Sequence, residues 1–408
     1  MRRTSYINAI IQLADRVDYP TIHQDVPYRT FRRLSGPMSF GGKALPEYLN
    51  LLSGLYEIEK EINKTCTLKY FEEQLIQFFE SDFISKNVID DLKSKCFIET
   101  LLATRVQTFH VFRDIFGVAL KEPLKPCKLG PYTLYSIQCQ SESLRSRIDL
   151  MPESVWIGQM PKYLIEVTVK ARHSEKAREL ADERFVNFEN IVSYMIGPTE
   201  HNCEVGILNY RGLKSNRAYV SAEDGSTSTA VWNNGSLDPV FIDDPFFTRT
   251  ESGYDKIWTM FFQDTPTTLH KKVQMAIEWL GQSINDDASG MAFLKAAMAL
   301  EVLFVLKQDT IISASIQSQI AENVASLVET TSETRVELES RMKMLYGIRS
   351  AIVHHGKNEV DPKKLIELQL YAKKAIIRLI TSKELSDYDS IEKVHKRLRE
   401  MRYSFPPL

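Results

Sequence analysis

The sequence predicts a predominantly α-helical protein with an α+β middle region and an all-α helical bundle toward its C-terminal end. Three observations carry this expectation. Apolar residues recur at three- and four-residue steps from Leu45 to about Ala119 and again from Thr267 onward, which gives helices one buried face. Between those stretches, short runs rich in β-branched and aromatic residues alternate with turn-formers, as strands do. The connections after Thr267 are short, as between neighbouring helices of a bundle.

Residues 1–125 read as a mainly helical region. A short helix is expected around Ile7–Ala14, with Pro- and Gly-containing loops up to residue 44. The sets Tyr48/Leu51/Leu52/Leu55, Tyr70/Leu75/Phe78/Phe79 and Phe97/Leu101/Leu102/Val106 each mark a helix face, and Pro123 and Pro126 close the region. Residues 126–266 read as α+β. Strands are expected at Tyr132–Gln138, Tyr163–Lys170, Cys203–Tyr210, Arg217–Ala222 and Thr229–Trp232, and a helix over Glu175–Met195. Asn233-Asn234-Gly235 is a tight-turn signal. Residues 267–385 read as a bundle with helices near 267–284, 290–307, 311–328, 334–355 and 361–382. Asp361-Pro362 supplies a cap and first-turn pair for the last of these. Residues 386–408 form a basic C-terminal helix or tail.

At 408 residues the chain is long enough for two or three domains, and 43% apolar residues suffice for sizeable cores. A net charge of −2 gives no global attraction to nucleic acid, so any RNA contact has to come from local clusters. The apolar run after Arg2 and Arg3 is short and interrupted, so no secretory signal is expected. No uncharged apolar stretch has membrane-spanning length, so no membrane partner is expected. Cys66, Cys96, Cys127, Cys139 and Cys203 are scattered without CxxC spacing. That favours reduced thiols in a cytoplasm over a zinc site or a disulfide framework.

The stretch that points to chemistry is Met344-Leu-Tyr-Gly-Ile-Arg-Ser-Ala-Ile-Val-His-His-Gly356. Leu338, Met342 and Leu345 line one side of a helix, and the next positions of that stripe are 349 and 352. Ile352 fits the pattern and Arg349 does not. A guanidinium in an apolar seam is costly unless it is paired or holds an anion. His354 and His355 follow, and Gly356 reads as the helix stop. From the residues alone, Arg349 is either a structural ion-pair partner or part of a site. Glu301, the acid of an otherwise apolar helix, is its natural partner in both cases. Each imidazole is either a helix-end group favoured by the dipole or a reacting group. Ideal geometry puts residue 354 about 140° around from 349 with ~7.5 Å of rise, and residue 355 about 240° around. Neither shares a face with Arg349, so a working site needs a distorted helix end or a second copy of the helix.

Leu345-Tyr346, Arg349-Ser350-Ala351-Ile352-Val353-His354 and Gly356 together resemble the Arg-x4-His signature of HEPN domains. The ApeA-like branch, whose signature helix tends to end Arg-Ser-x-x-Val-His-Gly, is the nearest look-alike. Upstream, Ala292–Phe304 resembles the "aLExLf" helix of the same branch. The resemblance covers roughly residues 267–385. It implies an all-α HEPN bundle that dimerises through its signature helices. It also implies a ribonuclease that needs neither metal nor other cofactor, of the kind found in bacterial toxin and anti-phage systems. Residue by residue, it makes Arg349 and His354 catalytic, with His355, Ser350, Glu301 and Tyr346 in support. The chain doubles the histidine: His354 has the spacing from Arg349, and His355 has the place before glycine. The implied partners are RNA (transfer RNA included), a second copy of the chain, and a regulatory partner or phage trigger sensed by the first two-thirds of the chain. The competing reading is a non-catalytic HEPN module for dimerisation or RNA binding.

Other candidates fit blander roles. Arg105-Val-Gln-Thr-Phe-His110 repeats the Arg-x4-His spacing in a stretch read as helical and core-decorating, and Arg16 to His23 is a looser match. Glu166 and Lys170 share one strand face, as an edge-strand ion pair does. Asp243-Asp244 and Asp286-Asp287 suit turn and cap roles. Lys393, Lys396, Arg397 and Arg399 are either phosphate contacts or a solvated helix face with Val394, Leu398 and Met401 packed inward.

Overall fold

The computed structural model describes residues 2–14, 28–33, 36–41, 44–81, 90–147, 162–199, 203–208, 210, 215–221, 227–233, 238–305, 316–356 and 359–403. Two compact units emerge: Met1–Val111 with Thr168–Ala181, and Phe112–Val167 with Asp182–Leu408.

The first unit begins with helix α1 (Arg3–Ala14) and an antiparallel hairpin of β1 (Tyr28–Arg33) and β2 (Gly36–Gly41). Helices α2 (Ala44–Ile58), α3 (Lys60–Thr65), α4 (Leu68–Ser81) and α5 (Asp91–Ala103) follow. Their apolar stripes meet as expected: Ile7, Tyr48, Leu52, Leu55, Phe71, Leu75 and Phe97 are buried in one core. Asp90 caps α5 by accepting the Lys93 N–H at 2.8 Å. The buried Arg172 closes the other end of α5. Its Nε donates to Thr65 Oγ1 at 3.0 Å and its Nη1 to the carbonyls of Leu102 (2.9 Å) and Thr104, satisfying acceptors that the helix leaves open.

The helix expected to run on to Ala119 stops at Ala103. Residues 107–119 form strands β3 (Gln107–Ile115) and β4 (Val118–Ala119) instead. The spacing of Phe109, Phe112 and Phe116 imitates a helix face, but Thr108, Val111 and Ile115 are β-branched and favour extended chain. Strands β5 (Cys127–Leu129), β6 (Tyr132–Ser136) and β7 (Tyr163–Ala171) complete a four-stranded sheet in the order β3-β7-β6-β5. Leu134 lies opposite Cys127 on one side and Ile165 on the other. Helix α6 (Ser141–Arg145) follows β6, and α7 (Ser174–Ile196) occupies the span expected for it.

The strand expected at Cys203–Tyr210 is reduced to a single bridge between Gly206 and Phe116. The backbone there is diverted to a side chain: the N–H groups of Ile207 and Leu208 donate to the Glu189 carboxylate, the latter at 2.8 Å, rather than to a neighbouring strand. Strands β8 (Ser215–Ser221) and β9 (Thr227–Asn233) pair antiparallel; Asn234 and Gly235 lie outside the described residues. Strand β10 (Val240–Phe241) runs parallel to β4.

From residue 254 the second unit is helical: α8 (Tyr254–Met260), α9 (Thr268–Ile284), α10 (Ser289–Phe304), α11 (Ile316–Val328), α12 (Ser332–His355), α13 (Pro362–Thr381) and α14 (Ile391–Tyr403). Helix α10 is the core of the bundle. Phe293, Ala296, Ala297, Leu300, Leu303 and Phe304 are buried, and α9, α11, α12 and α13 all pack on it. The alanines leave room for close approach, whereas truncating Phe293 or Phe304 in such a setting costs ~3–5 kcal/mol. Gly281 on α9 serves the same purpose against α7, since a Cβ there would lie 2.3 Å from the Asn190 carbonyl oxygen. Among the described residues no helix is long and apolar enough to cross a membrane.

Candidate functional site on helix α12

Helix α12 is delimited as its sequence requires. Thr331 Oγ1 accepts the Thr334 N–H at 3.3 Å, and Gly356 ends the helix in the left-handed region (φ 64°), its N–H bonded to the Ile352 carbonyl. Asp361 then caps α13, accepting the Lys363 N–H at 2.9 Å. Leu338, Met342, Leu345 and Ile352 are buried, so the seam read from the sequence is the packed one.

Arg349 meets Glu301 across the α10–α12 contact. Its Nε donates to Glu301 Oε1 at 3.1 Å. Tyr346, one turn earlier on α12, donates its hydroxyl to the same Oε1. One carboxylate oxygen therefore orients two α12 side chains. Tyr346 is 6% exposed, while the side chains of Arg349 and Glu301 keep 28% and 23% of their surface. Burial, and after it the Glu301 carboxylate, drives the Tyr346 phenol far above its ordinary range, so it remains a donor. Because Arg349 is held through Nε alone, its two terminal nitrogens make no hydrogen bond among the described residues. An anchored guanidinium with an open fork suits a phosphate or a developing oxyanion.

The turn of α10 that carries Glu301 is itself secured. Lys272 of α9 donates to the Val302 carbonyl at 2.9 Å, and His395 of α14 to the Leu303 carbonyl at 3.2 Å. These groups satisfy acceptors at a helix C-terminus. Burial holds the His395 pKa below its usual value, so the ring is neutral. Its Nδ1, 3.4 Å from Asn323 Nδ2, is then the acceptor. Neither support was legible beforehand, because no spacing rule links residues so far apart in sequence.

The histidines do not join Arg349. His354 and His355 are exposed and make no hydrogen bond among the described residues. The chain after them returns along α10, where the Val360 N–H reaches Ser289 Oγ at 3.1 Å. His354 falls on the outward side of α12 with Val336 and Gly347, at spacings of eleven and seven residues. Val336 is 66% exposed, Ser350 is exposed, and a Cβ on Gly347 would meet nothing within 4 Å.

The remaining candidates separate. His110 is on strand β3 rather than a helix, exposed, with Nδ1 3.4 Å from Thr168 Oγ1; Arg105 is exposed as well, so neither decorates a core. Arg16 to His23 lies outside the described residues. Glu166 does not pair with Lys170. Strand β7 is interior, and Glu166 is buried against Arg147, with Oε1 2.5 Å from Arg147 Nη2 and Oε2 accepting the Tyr135 hydroxyl. Asp244 and Asp286 have the turn and cap roles expected of them, accepting the N–H groups of Phe246 and Ala288, whereas Asp243 accepts the N–H groups of Lys121 and Glu122, distant in sequence, instead of capping its own turn. On α14, Val394 and Leu398 pack inward. Lys393 pairs with Asp389 (2.8 Å) and Arg397 with Glu384 (2.5 Å). Lys396 and Arg399 are exposed and free of ion pairs among the described residues, so two of the four candidate phosphate contacts are neutralised and two are not.

No family model, curated protein or solved structure matches the chain.

Proposed function

We propose that the chain is an HEPN-type endoribonuclease that acts as a homodimer and serves as the toxic effector of an anti-phage defence system. The observation that carries the reading is the guanidinium of Arg349, anchored through Nε by Glu301 with its terminal fork open. In the proposed reaction the RNA 2′-oxygen loses its proton and attacks the adjacent phosphorus. The P–O5′ bond breaks, and the 5′-oxygen takes up a proton. The products are a 2′,3′-cyclic phosphate and a 5′-hydroxyl. Arg349 neutralises charge on the non-bridging phosphoryl oxygens, and His354 transfers the proton. DNA lacks the nucleophile and is not cut.

A second reading is favoured by one observation: Arg349 is ion-paired while both histidines lie elsewhere on the helix. A non-catalytic HEPN module for dimerisation or RNA binding would carry Arg349 as a packing residue. The two readings part in a single experiment on purified protein, total RNA and transfer RNA with EDTA present. An enzyme cuts, and Arg349→Ala lowers its rate ~10²–10³-fold while the protein stays folded. Arg349→Ala protein cutting at near wild-type rate removes the catalytic assignment, and a wild type that binds RNA without cutting favours the module.

A further inference from the structure

Away from α12, the second unit encloses a pocket of about 320 Å³ between α8, the start of α9, the end of α13 and the segment after it. Met260, Leu269, Val273, Leu379 and Ile380 form apolar walls. A concave, apolar-walled space of this size with a few placed polar groups is the usual form of a small-molecule site.

Its polar groups have unmet capacity of one kind. Asp255 Oδ1 is buried and accepts no hydrogen bond, although buried carboxylate oxygens are as a rule satisfied. His270 is oriented by Gln263, whose Oε1 lies 2.9 Å from Nδ1. The proton therefore sits on Nδ1, and Nε2 presents a lone pair without a partner among the described residues. Burial lowers the His270 pKa, which favours the neutral ring. The one cation of the lining, Lys256, points its Nζ at the Ile380 carbonyl, 3.1 Å away. A second carboxylate, Asp387, is exposed beside the pocket.

We propose that this pocket binds a small ligand with an apolar body and a protonated amine head. The ammonium pairs with the Asp255 carboxylate, with His270 Nε2 as a further acceptor. An anionic head would meet two carboxylates and a lysine already turned to a carbonyl, so the pocket selects against it. The proposal does not depend on RNA cleavage.

Calorimetric titration of the full chain with 2-phenylethylamine, 2-phenylethanol and phenylacetate tests it. The amine should bind in the micromolar to low-millimolar range, the alcohol more weakly and the acid not detectably. Asp255→Asn should weaken the amine by about tenfold while barely changing the alcohol. Thr259→Trp, at an exposed position of the lining, should abolish binding of both without touching the core. An amine bound no tighter than the alcohol, or bound equally well by Asp255→Asn or by Thr259→Trp, overturns the assignment.

Discussion

Replacing Glu301 by alanine is the sharpest test of how the α12 site is held together. The substitution removes the oxygen shared by Tyr346 Oη and Arg349 Nε. Its cost follows from the burial of each donor. A fully buried cation stripped of its partner loses ~3–5 kcal/mol, whereas exposed ion pairs contribute ~0–1 kcal/mol. The Arg349 side chain keeps 28% of its surface and lies between those limits, so ~1 kcal/mol is expected from it. Tyr346, at 6% exposure, is left with a buried hydroxyl lacking an acceptor, which costs a further ~1–3 kcal/mol. Glu301→Ala should therefore destabilise the bundle by ~2–4 kcal/mol, and Glu301→Gln, which keeps a carbonyl acceptor, by about half of that. Urea unfolding supplies both numbers. A cycle with Tyr346→Phe isolates the shared oxygen, because the two changes should fall short of additivity by ~1 kcal/mol or more. Strict additivity, or a Glu301→Ala protein within roughly 0.5 kcal/mol of wild type, refutes the shared-acceptor arrangement.

Three further outcomes are expected. His354→Ala should lose ~10²–10⁴ in single-turnover cleavage rate and His355→Ala about tenfold or less; the reverse order would place the catalytic histidine directly before Gly356. Mixing inactive Arg349→Ala with inactive His354→Ala protein should restore about a quarter of wild-type activity if one copy's arginine works with the other's histidine, whereas sites built within one chain give no recovery. Burial lowers the Lys373 pKa from 10.5 to about 8. The unfolded state thus binds more protons across that window, so stability rises with pH from about 8 to 10.5; Lys373→Met should flatten the rise, and a profile parallel to wild type in denaturant titrations rejects it.

The C-terminal helices could be read from the sequence because their information is local. Apolar steps of three and four residues, Gly356 in a left-handed cap and Asp361 before Pro362 act within a turn or two. The Arg349–Glu301 pair was legible for a different reason: each is a charge in an apolar stripe, and such charges must find each other. What failed depended on distant partners. Residues 107–115 became a strand because β7 pairs with them, against a spacing that fits a helix equally well. Glu166 chose Arg147 over the lysine two pleats away on its own strand. Residues 203–208 lost their ladder to the side chain of Glu189.

Helix geometry limits how the proposed reaction can be assembled. An α-helix with its side chains is ~10–12 Å across, and residues 349 and 354 are about 140° and ~7.5 Å apart on it. Arg349 is turned inward, tied at 3.1 Å to a carboxylate on α10, while His354 is exposed on the outer face. A single phosphoryl group must be within ~3 Å of both the cation and the proton-transfer group. One copy of α12 cannot bring them that close while Arg349 keeps its anchor. Releasing Arg349 would break its pair with Glu301, at the ~1 kcal/mol worked out above for that guanidinium, while Tyr346 keeps its bond to Glu301. A second copy avoids this cost only where its His354 approaches the Arg349 side of α12, which lies about 160° around the helix from Gly347. The anchor that makes Arg349 look structural would thus favour a site shared between two copies in the proposed reaction.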